Sequence, residues 1–234
     1  MTDIEDDDIE ATLDDWKDRP FRFVGNQASA ADLDALPQAW RPIAQATDPA
    51  VRRVAAVALW NKELLDHLPE LSKILRDRLA DVRVCLTDGI PALVYVVPGE
   101  HEPWVTWLGY DPRSFGEEPE FWELIPSELQ TFLREVHAGF VSRAYDRYGP
   151  IQPAEMQTLA AFAGGPEGLE DWDEIQGIAS TRLLIIAREG ELMYYCVSPD
   201  AGPGEIVQLY EGDVDPGPFW PRLDKVFLLR LDAK

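Results

Sequence analysis

Three histidines and two cysteines are the residues best suited to metal binding or nucleophilic chemistry in this 234-residue chain. His67, His101 and His137 do not have the i, i+3 or i+4 spacing that places two imidazoles on one helix face. Cys85 and Cys196 alone cannot form a four-cysteine zinc site, and each lies in an apolar segment. We therefore expect buried, reduced thiols and histidines with structural roles.

The sequence lacks the common catalytic and nucleotide-binding motifs. It has no G-x-x-x-x-G-K-[ST] phosphate loop, no G-x-S-x-G nucleophile turn and no H-E-x-x-H zinc motif. Asp213 and Asp215 resemble the start of a calcium loop, but Pro218 stands where that loop needs glycine, and Asp224 stands where it needs glutamate. We therefore predict no enzyme, no cofactor and no metal site, although catalytic groups can also converge from distant positions.

Net charge is the strongest compositional signal. The chain has 21 Lys and Arg against 43 Asp and Glu, which gives a net charge of −22. Such a surface repels nucleic acid and anionic membranes, and it accelerates encounter with a cationic partner. An alternative is that the acidity serves solubility or a high-salt cell. No leader pattern and no apolar run of about 20 residues is present, so we expect a cytoplasmic protein.

The N-terminal residues 1–18 are rich in carboxylates and contain no basic residue before Lys17. Because like charges at this density stay solvated, we predict a flexible acidic tail over 1–18, followed by a single α+β domain over 19–234. The alternative for the tail is an arm that docks on a basic groove. The candidate contact residues of this arm are Asp6, Asp7 and Asp8.

The positions of the apolar residues predict the elements. Helical spacing indicates a short helix plus a connection over 30–46, helices at 49–68, 126–138, 153–162 and 219–231, and a loop over 164–178. Pro69 indicates either a break or the start of a further helix that reaches Leu79. Asp48 is expected to cap the second of these helices, with Pro49 in its first turn. Alternating or continuous apolar runs predict strands at 82–87, 90–97, 104–108, 183–187, 192–197 and 205–210. The expected fold is α+β, with a mostly antiparallel sheet of about six strands flanked by helices.

The most specific pattern is the segment 121–140, FWELIPSELQTFLREVHAGF. Ile125-Pro126 precedes a predicted helix, Ser127 and Gln130 have capping-box spacing, and the segment ends in His-Ala-Gly-Phe. This resembles the signature of the SUKH superfamily, the SMI1/KNR4-like proteins. Further segments that resemble the family are 149–153, 183–190 and the Phe219-Trp220 helix, so the resemblance covers roughly 120–231.

The resemblance implies a SUKH-like fold over 121–234, preceded by a helical and hairpin part over 19–120. In bacteria it implies an immunity protein that neutralises a polymorphic toxin. The expected partner is a cognate, basic protein toxin, bound by occlusion over about 800 Å² per partner. Two alternatives remain open: a non-catalytic adaptor or regulator on the same fold, and an unrecognised hydrolase.

The predicted loop 164–178 contains the strongest candidate for partner contact. Its single tryptophan is surrounded by four acids, and an aromatic anchor among carboxylates suits a cationic surface. The alternative is that the tryptophan folds back over the core. The candidate partner-binding residues are Glu170, Asp171, Trp172, Asp173 and Glu174, together with Asp6, Asp7 and Asp8 of the N-terminal arm.

Overall fold

Two antiparallel sheets of five strands each form the framework of the protein. The computed structural model describes residues 4–13, 21–142, 148–174, 176–190 and 192–232. The first sheet contains, in spatial order, β1 (Phe21–Val24), β2 (Asp81–Thr87), β3 (Ile90–Val97), β4 (Val105–Tyr110) and β5 (Phe140–Ser142). The second contains β10 (Asp213–Pro218), β9 (Glu205–Tyr210), β8 (Met193–Val197), β7 (Leu184–Glu189) and β6 (Gly149–Pro150).

The predicted α+β class is confirmed, whereas the prediction of one sheet with about six strands is wrong. The prediction missed β1, β5, β6 and β10. The first three span only two to four residues, too few for an alternating pattern to be recognised. The fourth contains Pro216 and Pro218 and lies at the sheet edge, the position in which a strand tolerates proline.

Ten α-helices accompany the sheets in the described residues. They are α1 (Asp6–Glu10), α2 (Ala30–Ala35), α3 (Arg41–Gln45), α4 (Pro49–Val57), α5 (Lys62–His67), α6 (Pro69–Asp77), α7 (Ser127–Glu135), α8 (Leu159–Phe162), α9 (Glu170–Asp173) and α10 (Phe219–Asp232). Asp48 caps α4 through the backbone N–H of Ala50, as predicted. Over the part of the chain described, no helix is both long and apolar enough to span a bilayer.

The hairpin of β2 and β3 forms the centre of the first sheet. Asp88 and Gly89 join the strands with φ angles of +52° and +80°, the left-handed pair that a tight two-residue turn requires. β3 is buried along almost its whole length, as its continuous apolar run predicts. Tyr95 of this strand contacts a cluster of aromatic rings. The cluster comprises Trp60, Phe132, His137 and Phe140.

The N-terminal residues 4–13 pack against the first sheet, where a flexible tail was expected. Ile9 is completely buried, Leu13 is nearly so, and the carboxylate of Asp6 lies 3.1 Å from the Arg83 guanidinium. The two apolar residues are spaced i, i+4, so together they anchor a short stretch of chain between the acids. The other residues of the predicted tail lie outside the described part of the chain.

The last helix connects the two halves of the molecule. The sheets meet between β5 and β6, where Ser142 and Tyr148 form an isolated antiparallel bridge. α10 contacts α5 and α6 on one side and strands of the second sheet on the other. Asp224 of α10 accepts hydrogen bonds of 2.9 Å from the backbone N–H groups of Glu70 and Leu71, at the start of α6. This carboxylate therefore caps a helix that is distant in sequence.

Candidate functional site

The turn before α7 is held by a side chain from within that helix. The amide nitrogen of Gln130 donates to the carbonyl oxygens of Trp122 (3.1 Å) and Ile125 (2.8 Å). The predicted capping box is wrong, because Pro126 occupies the N-cap position and Ser127 is already the first helical residue. Gln130 instead fixes the Ile-Pro turn.

A groove of about 580 Å³ lies between this turn and the loop that joins β8 to β9. Leu124 is 36% exposed at its edge, and Phe219 of α10 also lines it. Its charged lining residues in the described chain are two carboxylates, Glu123 and Glu205. Glu205 accepts a hydrogen bond of 2.8 Å from the N–H of Gly202 and thereby shapes the loop. The groove is thus an apolar surface with acidic edges.

A second cavity, of about 490 Å³, lies where α5 and α6 meet α10. The indole of Trp220 stacks on the imidazole of His67, with ring centroids 4.6 Å apart and planes 6° apart. The His67 Nε2 atom also lies 3.8 Å from a carboxylate oxygen of Glu128. The ionisable lining residues, apart from this histidine, are Asp66, Glu70, Asp224 and Lys225. Carboxylates therefore outnumber ammonium groups in this aromatic cavity.

The groove and the aromatic cavity share a ridge. Ser127 and Phe219 line the groove, while the residues that follow them, Glu128 and Trp220, contact His67 of the aromatic cavity. The rings of Phe219 and Trp220 are 5.1 Å apart. The first turns of α7 and α10 thus separate two neighbouring depressions. We call the groove, the aromatic cavity and this ridge the two-cavity face.

The residues predicted around Trp172 form α9, in the segment that leads to β7 of the second sheet. The indole N–H of Trp172 donates to the carbonyl oxygen of Ile178 at 3.0 Å, and the half-buried ring packs against the core. Asp173 accepts from the N–H of Ser180 at 2.7 Å, and this bond lowers the pKa of its carboxyl below the usual value. Both side chains therefore stabilise the local fold. The remaining acids, Glu170, Asp171 and Glu174, are exposed.

The acids of the N-terminal arm lie elsewhere, against the first sheet. Asp6 pairs with Arg83 of β2, and the Asp8 carboxylate accepts from the N–H of Glu5 within the arm's own helix. Asp7 is exposed. The structure therefore places the two sets of predicted contact residues in different parts of the fold, and neither set lines the two-cavity face.

His137 lies in the core and not at a solvent-accessible site. Its Nε2 atom is 2.9 Å from the Tyr95 hydroxyl, which accepts a hydrogen bond from the indole N–H of Trp60 at 3.1 Å. Burial lowers the pKa of His137 to about 3. The imidazole is therefore neutral at physiological pH. Across the described residues, no group of three or more histidine, cysteine or acidic side chains is arranged to hold a metal ion.

Asp224 lines a cavity and has a perturbed pKa, which are the two properties expected of a catalytic carboxyl in a hydrolase. Burial raises its pKa above the usual value, and the two backbone N–H groups that it binds act against that rise. One carboxylate oxygen accepts from Glu70 and the other from Leu71. Both carboxylate oxygens are therefore already hydrogen-bonded to the backbone at the start of α6. The geometry therefore supports a structural role for this group.

No family model, no curated protein and no solved structure matches this chain. Its functional class must therefore be inferred from local geometry and charge.

Proposed function

We propose that this protein is an immunity protein that binds and neutralises a cognate, cationic protein toxin by covering it. The two-cavity face carries the proposal, because it combines exposed apolar and aromatic surface with an excess of carboxylates. The resemblance of segment 121–140 to the SUKH signature supports the same class, and a SUKH-like fold over 121–234 is part of the proposal.

Neutralisation by covering requires shape and charge complementarity and no chemical step. The net charge of −22 steers a cationic protein toward this surface and raises the association rate. Leu124 and Trp220 provide the apolar and aromatic contacts that dominate binding energy at interfaces of this kind. The carboxylates around them fix the orientation of the partner and disfavour partners that are not cationic.

The test is growth rescue on co-expression with each toxin encoded near this gene. We expect the protein to restore growth with one basic toxin, and Leu124→Asp to weaken that protection. Val54→Asp is the matched control, because Val54 is 73% exposed on α4 and does not line the two-cavity face. Failure to protect against any neighbouring toxin, with the protein expressed and folded, would contradict the proposal. An adaptor would bind a cellular partner without rescuing growth.

A further inference from the structure

The structure assigns the two-cavity face to one kind of occupant: an extended, cationic segment of the partner protein. A lysine or arginine side chain of that segment enters the aromatic cavity beside Trp220, and a neighbouring apolar side chain lies in the groove against Leu124. This inference deepens the proposed function and rests on it. It departs from the sequence-based candidates, none of which lines either cavity.

The first argument is the availability of carboxylates. Glu70 in the aromatic cavity and Glu123 in the groove are exposed, and in the described chain neither carboxylate has a hydrogen-bond or ion-pair partner. Asp224 and Glu205 differ, because backbone N–H groups already occupy them. Each depression therefore contains one carboxylate that a cation can bind without displacing an existing partner, so no interaction within the protein is lost on binding.

The second argument is the preorganisation of the aromatic anchor. Stacking on His67 fixes the orientation of the Trp220 ring before any partner arrives. The half-buried indole therefore loses little rotational freedom on binding. Indole is also the aromatic ring that attracts cations most strongly, and guanidinium groups are its most frequent partners. An arginine or lysine beside this ring meets the indole and the Glu70 carboxylate in one cavity.

The third argument concerns the groove, which favours an apolar side chain next to the cation. Its lining includes Leu124, Pro199, Pro203 and Phe219. Phe219 lines the groove and the adjacent Trp220 lines the aromatic cavity, with their rings 5.1 Å apart, so a single extended segment can enter both depressions. Nucleic acid does not fit this surface, since its phosphates would approach unpaired carboxylates.

The test uses the full-length protein and a short capped peptide of alternating leucine and arginine as the probe. The readout is the set of indole N–H signals in the NMR spectrum, because each tryptophan reports on its own surroundings. We expect the peptide to shift the Trp220 signal and to leave the Trp172 signal unchanged, since the Trp172 N–H is bound to Ile178. A peptide of alternating leucine and glutamate should not bind.

Variants measure the contribution of each group to the affinity for the probe. Glu70→Gln and Glu123→Gln should each weaken binding about threefold, as expected for exposed charge pairs. Trp220→Ala should weaken it about tenfold or more, and Trp220→Phe serves if the alanine variant does not fold.

The matched controls are Asp171→Asn and Glu174→Gln, exposed acids near Trp172 that should leave affinity unchanged. Unchanged affinity in Glu70→Gln and Glu123→Gln, or signal shifts confined to α9, would overturn the inference.

The same variants separate this inference from the proposed function. If a neighbouring toxin is neutralised equally well by Glu70→Gln, Glu123→Gln and Trp220→Phe, the immunity function stands and the docking surface is wrong. If the probe binds the two-cavity face as described and no neighbouring toxin is neutralised, the surface stands and the immunity function is wrong.

Discussion

His137 is a neutral base at the centre of an aromatic cluster. Burial lowers its pKa to about 3, whereas an imidazole in the unfolded chain titrates near 6.5. Between these two values the unfolded chain binds a proton that the folded chain does not bind. The contribution of this group to the free energy of unfolding is therefore complete above pH 6.5, and it is lost progressively as the pH falls toward 3.

Replacement of this histidine tests that linkage. We expect His137 to account for a loss of about 2 kcal/mol in the free energy of unfolding of the wild type between pH 7 and pH 5. His137→Phe should lack this contribution and show a correspondingly smaller loss, measured by urea unfolding at the two pH values. Tyr95→Phe is the control, because it removes the 2.9 Å contact to Nε2 but keeps the titrating group. Equal pH dependence in the wild type and His137→Phe would contradict the assignment.

At the scale of single residues, the sequence indicates charge and burial but not which side chains meet. The acids around Trp172 suggested an anchor, yet the indole N–H of that residue is bound to a carbonyl in its own loop. The sequence predicts Trp220 on the terminal helix, but its stacking partner, His67, is far away in the sequence. No local pattern encodes that contact. The sequence-level signal available for this site was the Ile125-Pro126 turn, which does lie on the two-cavity face.

Elements defined by strong local signals were predicted, although the helix expected over 49–68 is divided into α4 and α5. The hairpin of β2 and β3 follows from its apolar runs and the Asp88-Gly89 turn, and the start of α4 follows from Asp48 and Pro49. The division of the strands between two sheets was not predictable in this way, because it depends on which strands pair across long stretches of chain. The short strands β5 and β6, where the sheets meet, carry no recognisable alternation.

At the scale of secondary-structure elements, the carboxylate of Asp224 in α10 caps the N-terminus of α6. Asp224→Ala leaves the backbone N–H groups of Glu70 and Leu71 without this acceptor, and we expect it to lower the free energy of unfolding by about 1–2 kcal/mol. Asp48→Ala is the matched control, because that exposed cap accepts one hydrogen bond, from Ala50. Urea unfolding at neutral pH measures both. A cost for Asp48→Ala equal to or above that for Asp224→Ala would contradict the capping role.

At the scale of the whole molecule, one helix links α5 and α6 to the second sheet, while the surface charge opposes compaction. α10 contacts both α6 and the second sheet, so its packing couples the halves. The net charge of −22 places carboxylates close together over the folded surface, and their mutual repulsion is smaller in the expanded unfolded chain. Among the described ion pairs, Arg52 and Asp81 are buried and are therefore screened little by salt.

Salt should consequently stabilise this protein. Raising the KCl concentration from about 10 mM to about 1 M shortens the screening length from about 30 Å to about 3 Å, which removes most of the repulsion between exposed carboxylates. We expect the free energy of unfolding to rise on the order of 1 kcal/mol, the scale of exposed charge interactions, as measured by thermal or urea unfolding at neutral pH. A triple variant of exposed acids that are not in the first turn of a helix, Glu135→Gln with Glu174→Gln and Glu211→Gln, should be more stable than the wild type at low salt and should respond less to KCl. The three sites are exposed, so their neutralisation relieves repulsion without opening the core. Loss of stability with added salt would instead mean that exposed ion pairs, such as that of Arg182 with Asp200, outweigh the repulsion.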